Sequence, residues 1–135
     1  MATKVMDSYA LMALFNDEPG ADEVEKLLLK AESGSPKLLM CVVNWGEIYY
    51  SVKRGASQEM AEEKVKEIAG MPIELVGLDT DLHLVREAAL FKAARKMSYA
   101  DCFAAALAKT RNAELVTGDP EFKAVEGEIK IGWLR

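Results

Sequence analysis

The chain has 135 residues, half of them hydrophobic and 29% charged, with 17 Lys+Arg against 22 Asp+Glu and a formal net charge of −5. This suits a single domain over residues 1–135 with one core. It excludes a membrane helix, which needs ~20 apolar residues in a row, and an overall positive grip on nucleic acid. The N-terminus shows no secretory h-region. Cys41 and Cys102 are too few and too widely spaced for a disulfide framework or a zinc knuckle, so a reducing, cytoplasmic compartment is expected.

In chain order, Lys4-Val5-Met6 reads as a short buried strand ending at Asp7. A helix follows over about Ser8–Asn16 with Leu11, Leu14 and Phe15 on one face, then a turn at Asp17-Glu18-Pro19-Gly20. Val24, Leu27 and Leu28 among interleaved charges predict an amphipathic helix over 21–33, broken by Gly34-Ser35-Pro36. The apolar run Leu38–Val43 reads as a second strand, followed by a helix over 45–54 closed by Gly55. A Glu/Lys-rich helix over 57–69 ends at Gly70, and Ile73–Leu78 is a third strand. A long helix is predicted over 81–96, with Leu82, Val85, Ala89 and Ala93 at helical spacing. An alanine-rich helix over 98–111 can approach its neighbours closely. Glu114–Thr117 is a fourth strand and Ile129-Lys130-Ile131 a fifth. Short apolar strands alternating with helices define an α/β domain built on a parallel sheet covered on both faces.

Four acids recur at one kind of place, where a strand ends or a helix begins: Asp7, Glu47 in Asn44-Trp45-Gly46-Glu47, Asp101 in Ser98-Tyr99-Ala100-Asp101, and Asp119 before Pro120. Each also has a reading as part of a helix cap. Asn44 with Glu47, and Ser98 with Asp101, have capping-box spacing. Asp119 reads as a cap with proline at the next position, and Asp7 would cap the first helix. Together they point further. Strands of one parallel sheet deliver their helices to a shared edge, where ligand sites collect. If the first and fourth strands are neighbours, Asp7 and Asp119 lie only ~5 Å apart laterally. Carboxylates that close must protonate or acquire a cation. Oxygen donors without His or Cys suit Mg²⁺ or Mn²⁺. The only histidine, His83, reads as a surface residue. Asp79 and Asp81 also follow a strand, but read as caps of the long helix. The chemistry indicated is metal-assisted reaction at phosphate, with nuclease, phosphatase and phosphotransferase all open.

The stretches Met6-Asp7-Ser8-Tyr9-Ala10-Leu11, Asn44-Trp45-Gly46-Glu47, Ser98–Ala108 and Leu115-Val116-Thr117-Gly118-Asp119-Pro120-Glu121-Phe122 are similar to those of PIN domains. The closest resemblance is to the VapC-type toxins of toxin–antitoxin pairs, and it spans essentially the whole chain. The resemblance implies a strand order of 3-2-1-4-5 and a Mg²⁺- or Mn²⁺-dependent endoribonuclease. Asp7, Glu47, Asp101 and Asp119 would line its site, with Glu121 as an additional acid that either binds metal or favours a helix start. Ser8, Ser98 and Thr117 match small hydroxyl positions that orient carboxylates or bind phosphate or water, roles that capping or turn formation would equally explain. The implied partners are an RNA substrate, a cognate antitoxin whose tail covers the acidic cleft, and a second copy in a homodimer.

The reaction expected on this resemblance is in-line attack of water on an RNA phosphodiester, leaving 5′-phosphate and 3′-hydroxyl ends. Lys53 and Arg54, and the cluster Lys92, Arg95 and Lys96, are candidates for holding the RNA backbone, against an alternative as favourable charge at helix C-termini. Tyr9, Trp45 and Tyr99 neighbour site acids and would stack on bases, with core packing expected for at least two of them. A phosphatase using Asp7 as nucleophile is an alternative, although Tyr9 stands where its second acid would be. The other is a non-catalytic PIN module acting as a binding partner. Setting the four acids aside leaves 17 basic residues against 18 acidic ones, so most of the net charge belongs to the expected metal site.

Overall fold

The computed structural model describes residues 2–135. Five strands form one all-parallel sheet in the order β3-β2-β1-β4-β5. They are β1 (Thr3–Met6), β2 (Lys37–Cys41), β3 (Ile73–Val76), β4 (Glu114–Thr117) and β5 (Ile131–Trp133). Six helices connect them: α1 (Ser8–Phe15), α2 (Ala21–Glu32), α3 (Val42–Gly55), α4 (Gln58–Ala69), α5 (His83–Ala94) and α6 (Tyr99–Thr110). A 3-10 turn over Pro120–Val125 joins β4 to β5. The expected class and strand order are those observed.

Alternation along each central strand sorts the core into two layers. Val5, Leu39, Cys41 and Leu115 face α5 and α6, while Met6, Leu38, Met40 and Val116 face the layer built from α1 to α4. α6 lies deepest: every residue from Asp101 to Ala108 is buried. Its four alanines in this stretch let it sit close to α5 and to β1 and β2. Among the described residues no helix is long and apolar enough to cross a membrane.

Several boundaries differ from expectation, among them the end of the third strand at Val76 rather than Leu78, and three others have a local cause. β2 stops at Cys41 and α3 begins at once at Val42, because β3 supplies its last pairing partner at Cys41↔Val76. An apolar run alone does not say where strand becomes helix. α5 begins at His83 because Leu82 takes a left-handed conformation (φ 63°), and the Asp81 carboxylate accepts the His83 N–H. Its buried stripe is Leu84, Ala88 and Phe91, while Ala89 and Ala93 are exposed. Both stripes have helical spacing, and the one carrying Leu84 and Phe91 buries more apolar area. β5 is Ile131–Trp133 rather than 129–131, since Ile129 donates its N–H to Val125 within the preceding turn.

Candidate active site

β1 and β4 are adjacent and in register, Met6 opposite Val116, so Asp7 and the Thr117-Gly118-Asp119 segment leave the sheet at the same edge. β3, which precedes Asp79 and Asp81, is the far edge strand, two places from β1. Those two acids are outside the cluster, as expected.

Asp7 is 1% exposed and caps α1. Its Oδ1 accepts the Ala10 N–H at 3.0 Å, and its Oδ2 accepts the Thr117 hydroxyl at 2.6 Å. The same Thr117 oxygen accepts the Asp119 N–H at 3.0 Å, so one fully buried hydroxyl fixes the Asp7 carboxylate and the Asp119 backbone together. Burial above all, then the charges of Asp101 and Asp119, push the Asp7 carboxyl up from 3.8 to about 7, against its two hydrogen bonds. Asp101 lies buried in the first turn of α6, where Ser98 caps the helix by accepting the Asp101 N–H at 3.1 Å. Its carboxyl is likewise raised to about 7, by burial first and then by the charges of Asp119, Glu47 and Glu121.

Asp119 caps the 3-10 turn, its Oδ1 accepting the Glu121 N–H at 2.9 Å. This tight turn swings Glu121 back toward the sheet edge. Carboxylate oxygens of Asp101, Asp119 and Glu121 lie within 4.8 Å of one another. Glu47, in the second turn of α3, accepts the Ser8 hydroxyl at 2.6 Å and bears electrostatically on Asp101. The site is thus a close trio, with the buried Asp7 and Glu47 near enough to bear electrostatically on it.

The capping readings and the site readings coexist for Asp7, Asp119 and Ser98, because the helix starts are what converge. Asn44 is the exception. Cys41 occupies the N-cap position of α3 without a side-chain capping bond, and Asn44 lies inside the helix. Fully buried, it donates from Nδ2 to the Ala100 carbonyl at 3.0 Å, tying α3 to the first turn of α6 beside Asp101. Its Oδ1 has no hydrogen-bond partner among the described residues. Nothing in the local sequence distinguishes this bridge from a cap.

The basic candidates divide. Lys92 folds back to donate to the Met97 carbonyl at 2.7 Å, and Arg95 pairs with Glu128 and reaches the Ala124 carbonyl. Lys96 is exposed just before α6. Lys53 and Arg54 occupy the last turn of α3, six and seven residues beyond Glu47, a rise of ~9–10 Å along the helix. Arg54 stacks over the Tyr50 ring. Two of the three aromatics lie outside the core rather than in it. Tyr9 and Tyr99 are 38% and 44% exposed, and only Trp45 packs partly against the core, stacked on Tyr49. Tyr99 leans on Phe103 of its own helix, with ring centres 4.9 Å apart.

The donor set at this edge is all carboxylate oxygen, which fits a hard divalent cation of the Mg²⁺ or Mn²⁺ kind. In parallel α/β domains, ligands bind at the edge where the strands end, which is where these carboxylates gather. The chain belongs to the PIN domain family, whose model matches residues 4–128. No curated protein matches the sequence. Solved structures do match in fold. VapBC2 of Rickettsia felis, bound to a DNA fragment from its promoter, has a TM-score of 0.75 and 15% identity, covering 98% of this chain and 99% of its own. The sarcin–ricin-loop-cleaving VapC toxin of Mycobacterium tuberculosis has a TM-score of 0.69 and 16% identity over 90% of this chain and 94% of its own. A member of the VapBC toxin–antitoxin family from the same organism has a TM-score of 0.65 and 22% identity, covering 100% and 99%.

Proposed function

We propose that the protein is a divalent-metal-dependent endoribonuclease and the toxin of a type II toxin–antitoxin pair. The observation that carries this reading is the convergence of Asp101, Asp119 and Glu121 within 4.8 Å at the strand ends of a PIN domain, with Asp7 and Glu47 fixed around them. Its nearest functional support is the RNA-cleaving toxin among the proteins of like fold.

A bound Mg²⁺ or Mn²⁺ would supply the Lewis acid that activates a water and neutralises the phosphate and the leaving oxygen. Asp101, Asp119 and Glu121 would hold it, and the buried Asp7 would add its charge to the site. Thr117 keeps Asp7 and Asp119 in fixed relation. Glu47, oriented by Ser8, accepts a proton from the attacking water. The water oxygen bonds to phosphorus as the phosphorus–O3′ bond breaks, and O3′ takes up a proton. The ends are 5′-phosphate and 3′-hydroxyl. Lys96, exposed just before α6, and Lys53 and Arg54 beyond Glu47 meet the flanking backbone. The reading places the protein in the cytoplasm as a homodimer, held inactive by an antitoxin.

A covalent phosphatase is disfavoured because Asp7 is buried with both oxygens engaged, and Tyr9 stands two residues on. A silent binding module has no use for two buried carboxyls pushed to about 7. The test is to map RNA ends after inducing the wild type and Asp101→Asn in cells, then repeat cleavage in vitro with Mg²⁺, Mn²⁺ or chelator. New 5′-phosphate ends with the wild type alone, lost in chelator, are expected. Cleavage by Asp101→Asn or Asp7→Asn at the wild-type rate would overturn the reading.

A further inference from the structure

We infer that the Tyr9 ring, seated on Gly118, is a nucleobase subsite that stacks the base next to the scissile phosphate; the inference rests on the ribonuclease reading above. The starting observation is a glycine that the backbone does not require. Gly118 has no positive φ, unlike Gly20 and Gly34, so an L-residue could adopt its conformation. What forbids a side chain there is Tyr9. A Cβ on Gly118 would lie 2.5 Å from Tyr9 Cε1, 3.0 Å from Cζ and 3.2 Å from the hydroxyl. Such spacing is far inside van der Waals contact, so the glycine makes room for the ring.

Room of that kind usually serves core packing, but here it does not. Tyr9 is 38% exposed and belongs to neither core cluster. Its backbone is nonetheless held on both sides by site contacts: the preceding Ser8 hydroxyl binds Glu47 and the following Ala10 N–H binds Asp7. Gly118 itself lies between Thr117, which bonds Asp7, and Asp119 of the carboxylate trio. The fold therefore fixes a flat aromatic surface at the rim of the acidic cluster, one edge against backbone and part of it facing solvent.

The chemistry of that rim selects the ligand. Carboxylates repel a phosphate that lacks a cation, whereas a neutral base carries no such penalty and gains from stacking on a π-face. Tyr99 does not offer an equivalent platform, since its ring leans on Phe103 and no glycine seats it. Stacking tolerates any base, so Tyr9 would contribute affinity and register, with little choice of sequence.

The test uses the full-length protein and an oligoribonucleotide spanning a mapped cleavage site. Tyr9→Ala is expected to raise KM about ten- to hundredfold, with Mn²⁺ affinity by calorimetry and thermal stability near wild type. Tyr9→Trp or Tyr9→Phe should recover most of the loss. An abasic nucleotide beside the cut should impose the same penalty on the wild type and little more on Tyr9→Ala. Gly118→Ala should displace the ring and copy Tyr9→Ala, and combining the two should cost no more than either. An unchanged KM in Tyr9→Ala, or a loss matched by weaker Mn²⁺ binding, overturns the subsite. That first result, alongside wild-type cleavage, leaves the ribonuclease reading standing. Absence of cleavage by the wild type defeats both.

Discussion

Asp7→Asn should make the metal-free protein more stable at alkaline pH, although it disrupts the hydrogen bond from Thr117. The Asp7 carboxyl rises from 3.8 in the unfolded chain to about 7 in the fold, chiefly through burial. Between those values the folded state binds more protons than the unfolded one. Stability from this group is therefore complete below pH 3.8 and is lost as pH rises through about 7. A shift of that size corresponds to at most about 4 kcal/mol at pH 8. The asparagine escapes this penalty. Its oxygen can still accept the Ala10 N–H, while its amide must donate to Thr117, leaving the threonine proton without a partner at a cost of about 1 kcal/mol. The net gain is about 3 kcal/mol at pH 8 and under 1 kcal/mol at pH 5. For a chain of this size that is roughly 10 °C in Tm at pH 8. Thermal unfolding of both proteins in chelator, from pH 5 to pH 8, measures it. Mg²⁺ at a hundredfold excess over its Kd should return about 3 kcal/mol to the wild type and close the gap. A gap that does not grow with pH, or a wild type more stable than the variant at pH 8 in chelator, would refute the reasoning.

Thr117→Val removes the donor to Asp7 and the acceptor for the Asp119 N–H; it should cost about 2 kcal/mol in urea unfolding and lower cleavage. Asn44→Ala should cost about 2 kcal/mol and weaken Mn²⁺ binding in calorimetry, because the tie between α3 and the Ala100 carbonyl sets Glu47 against Asp101. Glu121→Gln removes one of the charges that raise the Asp101 carboxyl, so the acid limb of the cleavage–pH profile should move to lower pH while Mn²⁺ affinity falls. Ser98→Ala, losing the cap on α6, should cost about 1 kcal/mol of stability by urea unfolding.

The alternation of apolar strands with helices made the class legible, and the acids at the strand ends marked the edge where they meet. Their exact grouping was less accessible. Asp7 and Asp119 stood out because their strands pair directly, but the trio closes through Glu121, which only the tight turn after Asp119 brings back. Asn44 bridges rather than caps, and capping and bridging place the same residue type at the same spacing from an acid. The difference depends on whether β2 continues past Cys41, which the position of β3 decides. The inward face of α5 was ambiguous for a related reason: two stripes satisfied the helical period, and only packing against α6 chose between them. Which of Tyr9, Trp45 and Tyr99 stays out of the core was not legible, because Gly118, which makes room for the Tyr9 ring, lies more than a hundred positions away in sequence.

The way the acids are held bears on what they are for. Asp7 is fixed by a hydroxyl and a backbone N–H, Glu47 by a hydroxyl, and Asp119 by the Glu121 N–H. These are neutral donors. The ion pairs among the described residues are Lys4–Glu114, Lys37–Glu74, Lys64–Glu67, Arg95–Glu128 and Lys109–Glu87, none of which includes a site acid. A fold selected only for stability would place a lysine or arginine against carboxyls whose burial raises them to about 7. Here the donors set positions and leave the charge uncompensated, apart from the positive ends of α1 and α6, where Asp7 and Asp101 sit. Geometry without neutralisation is what a cation-binding site requires, because an internal lysine would compete with the ion for the same oxygens. On the proposed metal-site reading, the net charge of −5 is concentrated where a divalent ion would offset it, and the stability lost to that concentration would return when the ion binds.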